Sequence, residues 1–396
     1  MSNASNWSVG GVPSTPNNAN NQILTFGAET GGAPDYIVVL DQGNNKDSQN
    51  VGTLDVTGGT SGYTFNQTGD FFYTIYGAND GFGNGNSILN SSGNLATFNV
   101  DILQANNDNT VDQSIWDAGT GGLEFNNTIA FASNAKNVEI VNGTADINGT
   151  ISLSNTTGSQ AIVFASTGST VNINGTVGDA GSVPSAMRGI GTQGGTLLLA
   201  GPAGSDLIAG EQGSRRTSLE VQGGTFGFTA DDSLVRNATF ERGLTLTSQS
   251  DIQFGDDVGG GIIQLNGSGN SNRSEMNDVR LYLTNWNGQT HDFSGGNSRS
   301  GGGTDQFVFA DLENNGVAVV AGDDLFNVRI FNSGTLFYGR AVGRTDLGAG
   351  FIEIVPGNIA PVPEPSTYAF GGLLIATIGI AEWRRRRSKR LATASE

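Results

Sequence analysis

The chain has 396 residues, 61 of them glycine and none cysteine, and a formal net charge of −18 from 19 Lys+Arg against 37 Asp+Glu. Without cysteine there are no disulfide staples and no thiol chemistry, so stability has to come from burial and backbone pairing. Six of the basic residues and three of the acids follow Ala360, so the body before it holds 13 basic and 34 acidic residues, a balance of −21; such a body repels phosphate backbones and anionic lipid and argues against a nucleic-acid partner.

In chain order, Met1 to Trp7 has no basic n-region and no apolar h-region, so no signal peptide is present as written. The segment Asn6-Trp7-Ser8-Val9-Gly10-Gly11-Val12-Pro13 leads to Asn20 and to an apolar strand, Ile23-Leu24-Thr25-Phe26, that ends on Gly27. This order resembles the opening unit of bacterial autotransporter-associated β-strand repeat proteins. There the unit follows a signal peptide, and the resemblance implies a true start upstream of Met1.

Glycine at this frequency without a collagen repeat signals turn-rich β structure or disorder, and recurrent apolar runs favour the folded option. The runs are Tyr36 to Leu40, Phe71 to Tyr76, Leu123 to Phe131, Val138 to Val141, Ala161 to Ala165, Thr196 to Ala200, Ser218 to Val221, Ile262 to Leu265 and Gly316 to Val320. They are short, rich in Val, Ile, Phe, Tyr and Thr, and bounded by Gly, Asn, Asp and Ser, the pattern of strands. Two internal echoes point to a repeating unit. Ile147-Asn148-Gly149-Thr150 returns 26 residues later as Ile173-Asn174-Gly175-Thr176, and Thr53-Leu54-Asp55-Val56-Thr57-Gly58-Gly59-Thr60 is mirrored by Ser218-Leu219-Glu220-Val221-Gln222-Gly223-Gly224-Thr225. A strand-turn unit of twenty to thirty residues fits one coil of a parallel β-helix, whose apolar positions are buried only by stacking. The expected body is therefore an all-β solenoid over 1–310, with Phe and Leu inside and Asn and Thr at corners and surface, the Asn able to form ladders. A β-sandwich or jelly roll of antiparallel hairpins accommodates the same strand density and stands as the alternative.

Few residues suggest catalysis. The one histidine, His291, lies in Gln289-Thr290-His291-Asp292-Phe293 beside a glycine-rich stretch and reads as a solvated turn residue. The pairs Asp231-Asp232, Asp256-Asp257 and Asp323-Asp324 bear the carboxylates that polysaccharide-cleaving β-helices use for acid–base work or Ca²⁺. Adjacent strand residues face opposite sides, however, so each pair reads as a turn or cap. Gly77 to Asn86 is one imperfect copy of a glycine–aspartate Ca²⁺ repeat, and one copy is not an array. No metal ligand, cofactor or catalytic residue is expected. The expectation is a non-enzymatic protein, the alternative a β-helix polysaccharide lyase or glycoside hydrolase.

Further on, Leu283-Thr284-Asn285-Trp286-Asn287-Gly288 and Gly301-Gly302-Gly303-Thr304-Asp305-Gln306-Phe307-Val308-Phe309 resemble a terminal module of the same repeat-bearing proteins. Read from the residues alone, Gly301 to Gly303 form a loop while Phe307 and Phe309 fill the end of the core. A terminal β unit or cap is expected over 311–355, built on Asn327 to Phe331 and Leu336 to Tyr338.

The tail changes character. A proline-rich linker, 356–367, contains Val362, Pro363, Glu364, Pro365 and Ser366; an apolar span, 368–383, follows; and Arg384, Arg385, Arg386 and Arg387 open a basic segment, 384–396. Fourteen helical residues from Tyr368 to Ala381 span roughly 21 Å, short of the ~30 Å hydrocarbon core. Tyr368 and Trp383 bracket the span as interfacial aromatics, the arginines supply the positive charge of a cytoplasmic flank, and their side chains snorkel to lengthen it. The prolines keep the approach extended. Motif, span and arginine block in this order resemble the PEP-CTERM sorting signal of Gram-negative bacteria. The resemblance implies a single C-terminal transmembrane helix, an exosortase-type membrane protease as processing partner, and association with exopolysaccharide. Membrane anchorage during export, followed by a cell-surface or extracellular location, is the expected itinerary.

Overall fold

The computed structural model describes residues 23–27, 36–41, 49–58, 62–70, 72–75, 78–79, 84–105, 113–131, 137–152, 161–178, 188–201, 208–209, 217–229, 235–240, 243–255, 260–265, 280–288, 290–292, 298–300, 305–310, 328–331, 337–348 and 351–356. The chain divides into two compact units, Met1–Asn358 and Ile359–Glu396, and every described residue belongs to the first.

Alternating apolar and polar residues give strands with one buried edge of side chains. In Gln113–Asp117, for instance, Ser114 and Trp116 point inward and their neighbours outward. Three such strands, joined by corners, make one coil. Asn137–Val141, Gly143–Ile147 and Ile151–Ser152 pair in parallel with Ala161–Ser166, Ser169–Ile173 and Val177–Gly178 of the next coil. We call the resulting stacks the first, second and third faces. The third includes an all-parallel seven-stranded sheet, which rules out a sandwich of antiparallel hairpins. Among the described residues there is no helix, and the fold is a parallel β-solenoid.

The core runs along the axis, because register places like side chains above one another. On the first face Leu54, Ile88, Trp116, Ile140 and Ala165 form one buried row. On the second, Phe65, Phe98, Phe125, Ile147, Ile173 and Leu199 form another. The 26-residue echo is thus a register fact: Ile147 pairs with Ile173. The aromatic end of that row is stacked, with Phe65–Phe98 centroids 4.8 Å apart at 7° and Phe98–Phe125 5.0 Å apart at 15°. A buried amide is tied into this core: Trp116 Nε1 donates to Gln104 Oε1 at 3.0 Å, and Gln104 Nε2 donates to Ser114 Oγ at 3.0 Å, as a buried polar group requires.

Three sequence expectations need correction or completion. The run Leu123 to Phe131 is two strands, Leu123–Phe125 and Ile129–Phe131, on different faces. The polar Asn126, Asn127 and Thr128 form the corner between them. The run Ser218 to Val221 extends into Thr217–Phe228, which bends through Gly223 and Gly224 from the first face to the second; its pairing with the preceding coil breaks at the bend, and its register with the following coil shifts there. Gly316 to Val320 lies outside the described residues.

At the C-terminal end the direction of pairing changes. Gln306–Ala310 pairs antiparallel with Phe351–Pro356, and Val328–Phe331 with Phe337–Gly348; the two returning strands also pair with each other. This covers strand edges that would otherwise present unpaired N–H and C=O groups.

Candidate binding face

The second face presents the most regular outer surface. At its corner Asn66, Asn99, Asn126, Asn148 and Asn174 stack in successive coils. Each amide donates to the carbonyl oxygen of the one before it, at 2.8 Å for Asn99 to Asn66 and at 2.7 Å for Asn126 to Asn99, Asn148 to Asn126 and Asn174 to Asn148. The ladder stops where Ala200 takes the next position. There the buried guanidinium of Arg236 donates to the carbonyls of Gly201 at 2.8 Å and Ala200 at 3.1 Å and to Thr229 Oγ1 at 3.0 Å.

One row in from the ladder, Glu124 and Asp146 sit in register on adjacent coils. Like charges side by side are unfavourable, and neighbouring donors offset this. Thr97 Oγ1 donates to Glu124 Oε2 at 3.0 Å, Asn148 Nδ2 to Glu124 Oε1 at 3.1 Å, and Asn172 Nδ2 to Asp146 Oδ1 at 2.8 Å. Both carboxylates therefore act as acceptors within the ladder. Their row also contains Thr64, Thr97 and Asn172 and no aromatic over these coils.

Burial acts on two other acids. Desolvation pushes the carboxyl of Asp55, on the first face, and that of Asp251, on the second, above the ordinary range. Asp251 is half-buried between Thr225 and Tyr282 in its row. A raised folded-state value means that the native protein holds this proton where the unfolded chain has already lost it. The contribution of Asp251 to stability accordingly falls as pH rises from about 3.9 through the raised value. Asp251→Asn should melt higher than the parent at pH 7, and the gap should narrow as pH approaches 4. A gap that is constant or widens toward acid would show that desolvation of this carboxylate is not felt.

Other residues singled out in the sequence are placed as follows. His291 is not in a turn: it lies in the short strand Thr290–Asp292, opposite Arg299 of Ser298–Ser300. Of the calcium-like segment, Ala78–Asn79 forms a small antiparallel pair with Asn84–Asn90, and residues 77 and 80–83 lie outside the described residues. Asp231-Asp232, Asp256-Asp257, Asp323-Asp324 and Gly301 to Gly303 lie outside the described residues. So do Val362, Pro363, Glu364, Pro365, Ser366, the apolar span and Arg384 to Arg387. Among the described residues no helix is long and apolar enough to cross a membrane, and no three His, Cys, Asp or Glu side chains gather as metal ligands.

The sequence pattern gave no warning of Asp305. Its carboxylate is buried and accepts from the backbone N–H of Gly261 at 2.8 Å and of Asn287 at 2.6 Å. It lies two residues before Phe307, fully buried in the core, and forms a parallel bridge with Gly288. An acid following three glycines and a threonine reads as loop; its partners lie 44 and 18 residues away, at separations no local pattern reveals. Against known proteins, the chain matches no family model, no curated protein and no solved structure.

Proposed function

We propose that this chain is an exported, non-enzymatic cell-surface or extracellular-matrix protein of the exopolysaccharide or biofilm-associated kind. It is sorted through Val362 to Ser366 by an exosortase-type membrane protease. The observation that carries this is the order within the tail: proline motif, apolar span with aromatic ends, arginine block. The arginines set orientation and stop transfer, since each is costly to move through a bilayer. Glu364 then lies just outside the membrane on a segment that its flanking prolines keep open to a protease. A second support is the character of the body. Its regular outer face engages Glu124 and Asp146 in ladder hydrogen bonds, and among the described residues no aromatic shares their row over these coils, a surface suited to a structural role.

In a host that has the sorting protease, the parent chain should yield a shortened surface or released form. Glu364→Ala combined with Pro365→Ala should instead accumulate full-length in the membrane fraction. Fractionation and immunoblotting distinguish the two, and equal processing of both would reduce the motif to a linker.

A further inference from the structure

One outward row of the second face belongs to neither the Asn ladder nor the Glu124–Asp146 row. Thr144, Thr170, Thr196 and Thr225 stand in register on four consecutive coils, all at least partly exposed. Leu95 precedes them in the same row and is one of two exposed large apolar side chains among the described residues, 42% accessible. The glycines beside it, Gly62 and Gly122, leave its flanks open. A side chain at Gly62 would meet the carbonyl of Leu95, and one at Gly122 would lie 3.5 Å from the leucine's own Cδ1. Beyond Thr225 the row passes Asp251 and reaches Tyr282.

We infer that this row is a docking track for a single extended chain of a neutral polysaccharide, an inference that rests on the matrix function proposed above and names its partner. Three properties of the row lead there. Its shape is a line: seven strand steps from Leu95 to Tyr282 cover about 34 Å at ~4.8 Å each, and the track is one side chain wide. That suits an extended polymer better than a compact ligand. Its chemistry is mixed: hydroxyls that both donate and accept recur at each threonine, with an apolar surface at one end and an aromatic ring at the other. Sugar rings present that same combination of hydroxyl edges and C–H faces. Its electrostatics exclude the anionic alternatives. The body's balance of −21, with Asp251 in the row and Glu124 and Asp146 in the adjacent one, repels polyuronates, sulfated glycans and nucleic acid.

The test is affinity electrophoresis of the full chain, solubilised in a non-glycosidic detergent. The gels contain a neutral β-glucan, a neutral α-glucan, an anionic polyuronate or no polymer. The parent should be retarded by at least one neutral glucan and not by the polyuronate. Thr170→Lys with Thr196→Lys places two long side chains across the track from partly exposed positions and should weaken retardation at least tenfold with little change in melting temperature. Leu95→Ala and Tyr282→Ala, taken separately, should each weaken it several-fold and show whether both ends contribute. Free migration in every gel, unchanged retardation of the double lysine variant, or equal retardation by the polyuronate would each overturn the inference. Processing at the tail is read in cells and does not depend on these gels, so failure of the track and failure of the sorting signal are told apart.

Discussion

Gly143→Ala should destabilise the solenoid by at least about 3 kcal/mol, while the same change at Gly168 costs about 1 kcal/mol and at Gly178 close to nothing. The three glycines separate two effects that usually come together. Gly143 follows Asn142 at the corner between the first and second faces, and both have positive φ, 84° and 50°. Asn tolerates that region and Gly occupies it freely. A Cβ at Gly143 would in addition lie 1.8 Å from the carbonyl oxygen of Gly119 in the coil beneath. That oxygen belongs to backbone, so relief requires the two coils to separate and the Ala118 N–H bond to Val141 O, 2.9 Å long, to stretch. Gly168 has a similar φ of 83° but nothing within 4 Å of its would-be Cβ, so only conformational strain remains. Gly178 has open space and an ordinary strand backbone, and alanine there even lowers the entropy of the unfolded chain. Urea unfolding of the three variants should rank them in that order. Equal losses at Gly143 and Gly168 would mean that coil-to-coil contact is looser at the corner than the geometry requires.

The same corners explain what was legible in the sequence. Where two coils have equal length the repeat is visible, as with Ile147-Asn148-Gly149-Thr150 and its copy: the four residues stack in order, and both glycines sit where a Cβ would strike the backbone below. Elsewhere the coil length drifts. Leu54 pairs with Ile88, 34 residues on, whereas Trp116 pairs with Ile140, only 24 on. Loops of variable length sit between strands of constant register, and that smears any fixed period. The period-two alternation within each strand survives, so the all-β class and the inward Phe and Leu were readable. The split of Leu123 to Phe131 was not, because apolar residues bracket the corner on both sides. The Asn ladder was foreseeable from composition, while its five-coil alignment on one corner required the register. Asp305 was hidden for a different reason: a buried carboxylate satisfied by two distant backbone N–H groups looks, in sequence, like any acid in a glycine-rich loop.

The largest single loss is expected at Phe98, and it weighs the buried core against the surface ladder that runs beside it. Phe98 is 2% exposed and lies between Phe65 and Phe125, stacked on both, with Trp116 4.9 Å from Phe125. Phe98→Ala removes a ring that the stacked neighbours cannot replace without a shift of their own coils. The transfer and cavity terms together cost about 3–5 kcal/mol, and two lost aromatic contacts place the value toward the upper end. Phe98→Leu keeps most of the volume and should cost roughly 1.5 kcal/mol. The adjacent Asn99 offers the comparison, since Asn99→Ala breaks two ladder hydrogen bonds, at 2.8 Å to Asn66 and 2.7 Å from Asn126. Those groups can return to water, so the net loss should stay near 1 kcal/mol. Burial therefore holds the coils together, and the ladder chiefly fixes which coil residue sits above which. A one-residue slip of this coil would turn Phe98 outward and break both rungs at Asn99. Chemical denaturation of the three variants measures the ratio directly. A loss at Asn99 equal to that at Phe98 would transfer the main stabilising role from the aromatic stack to the polar corner.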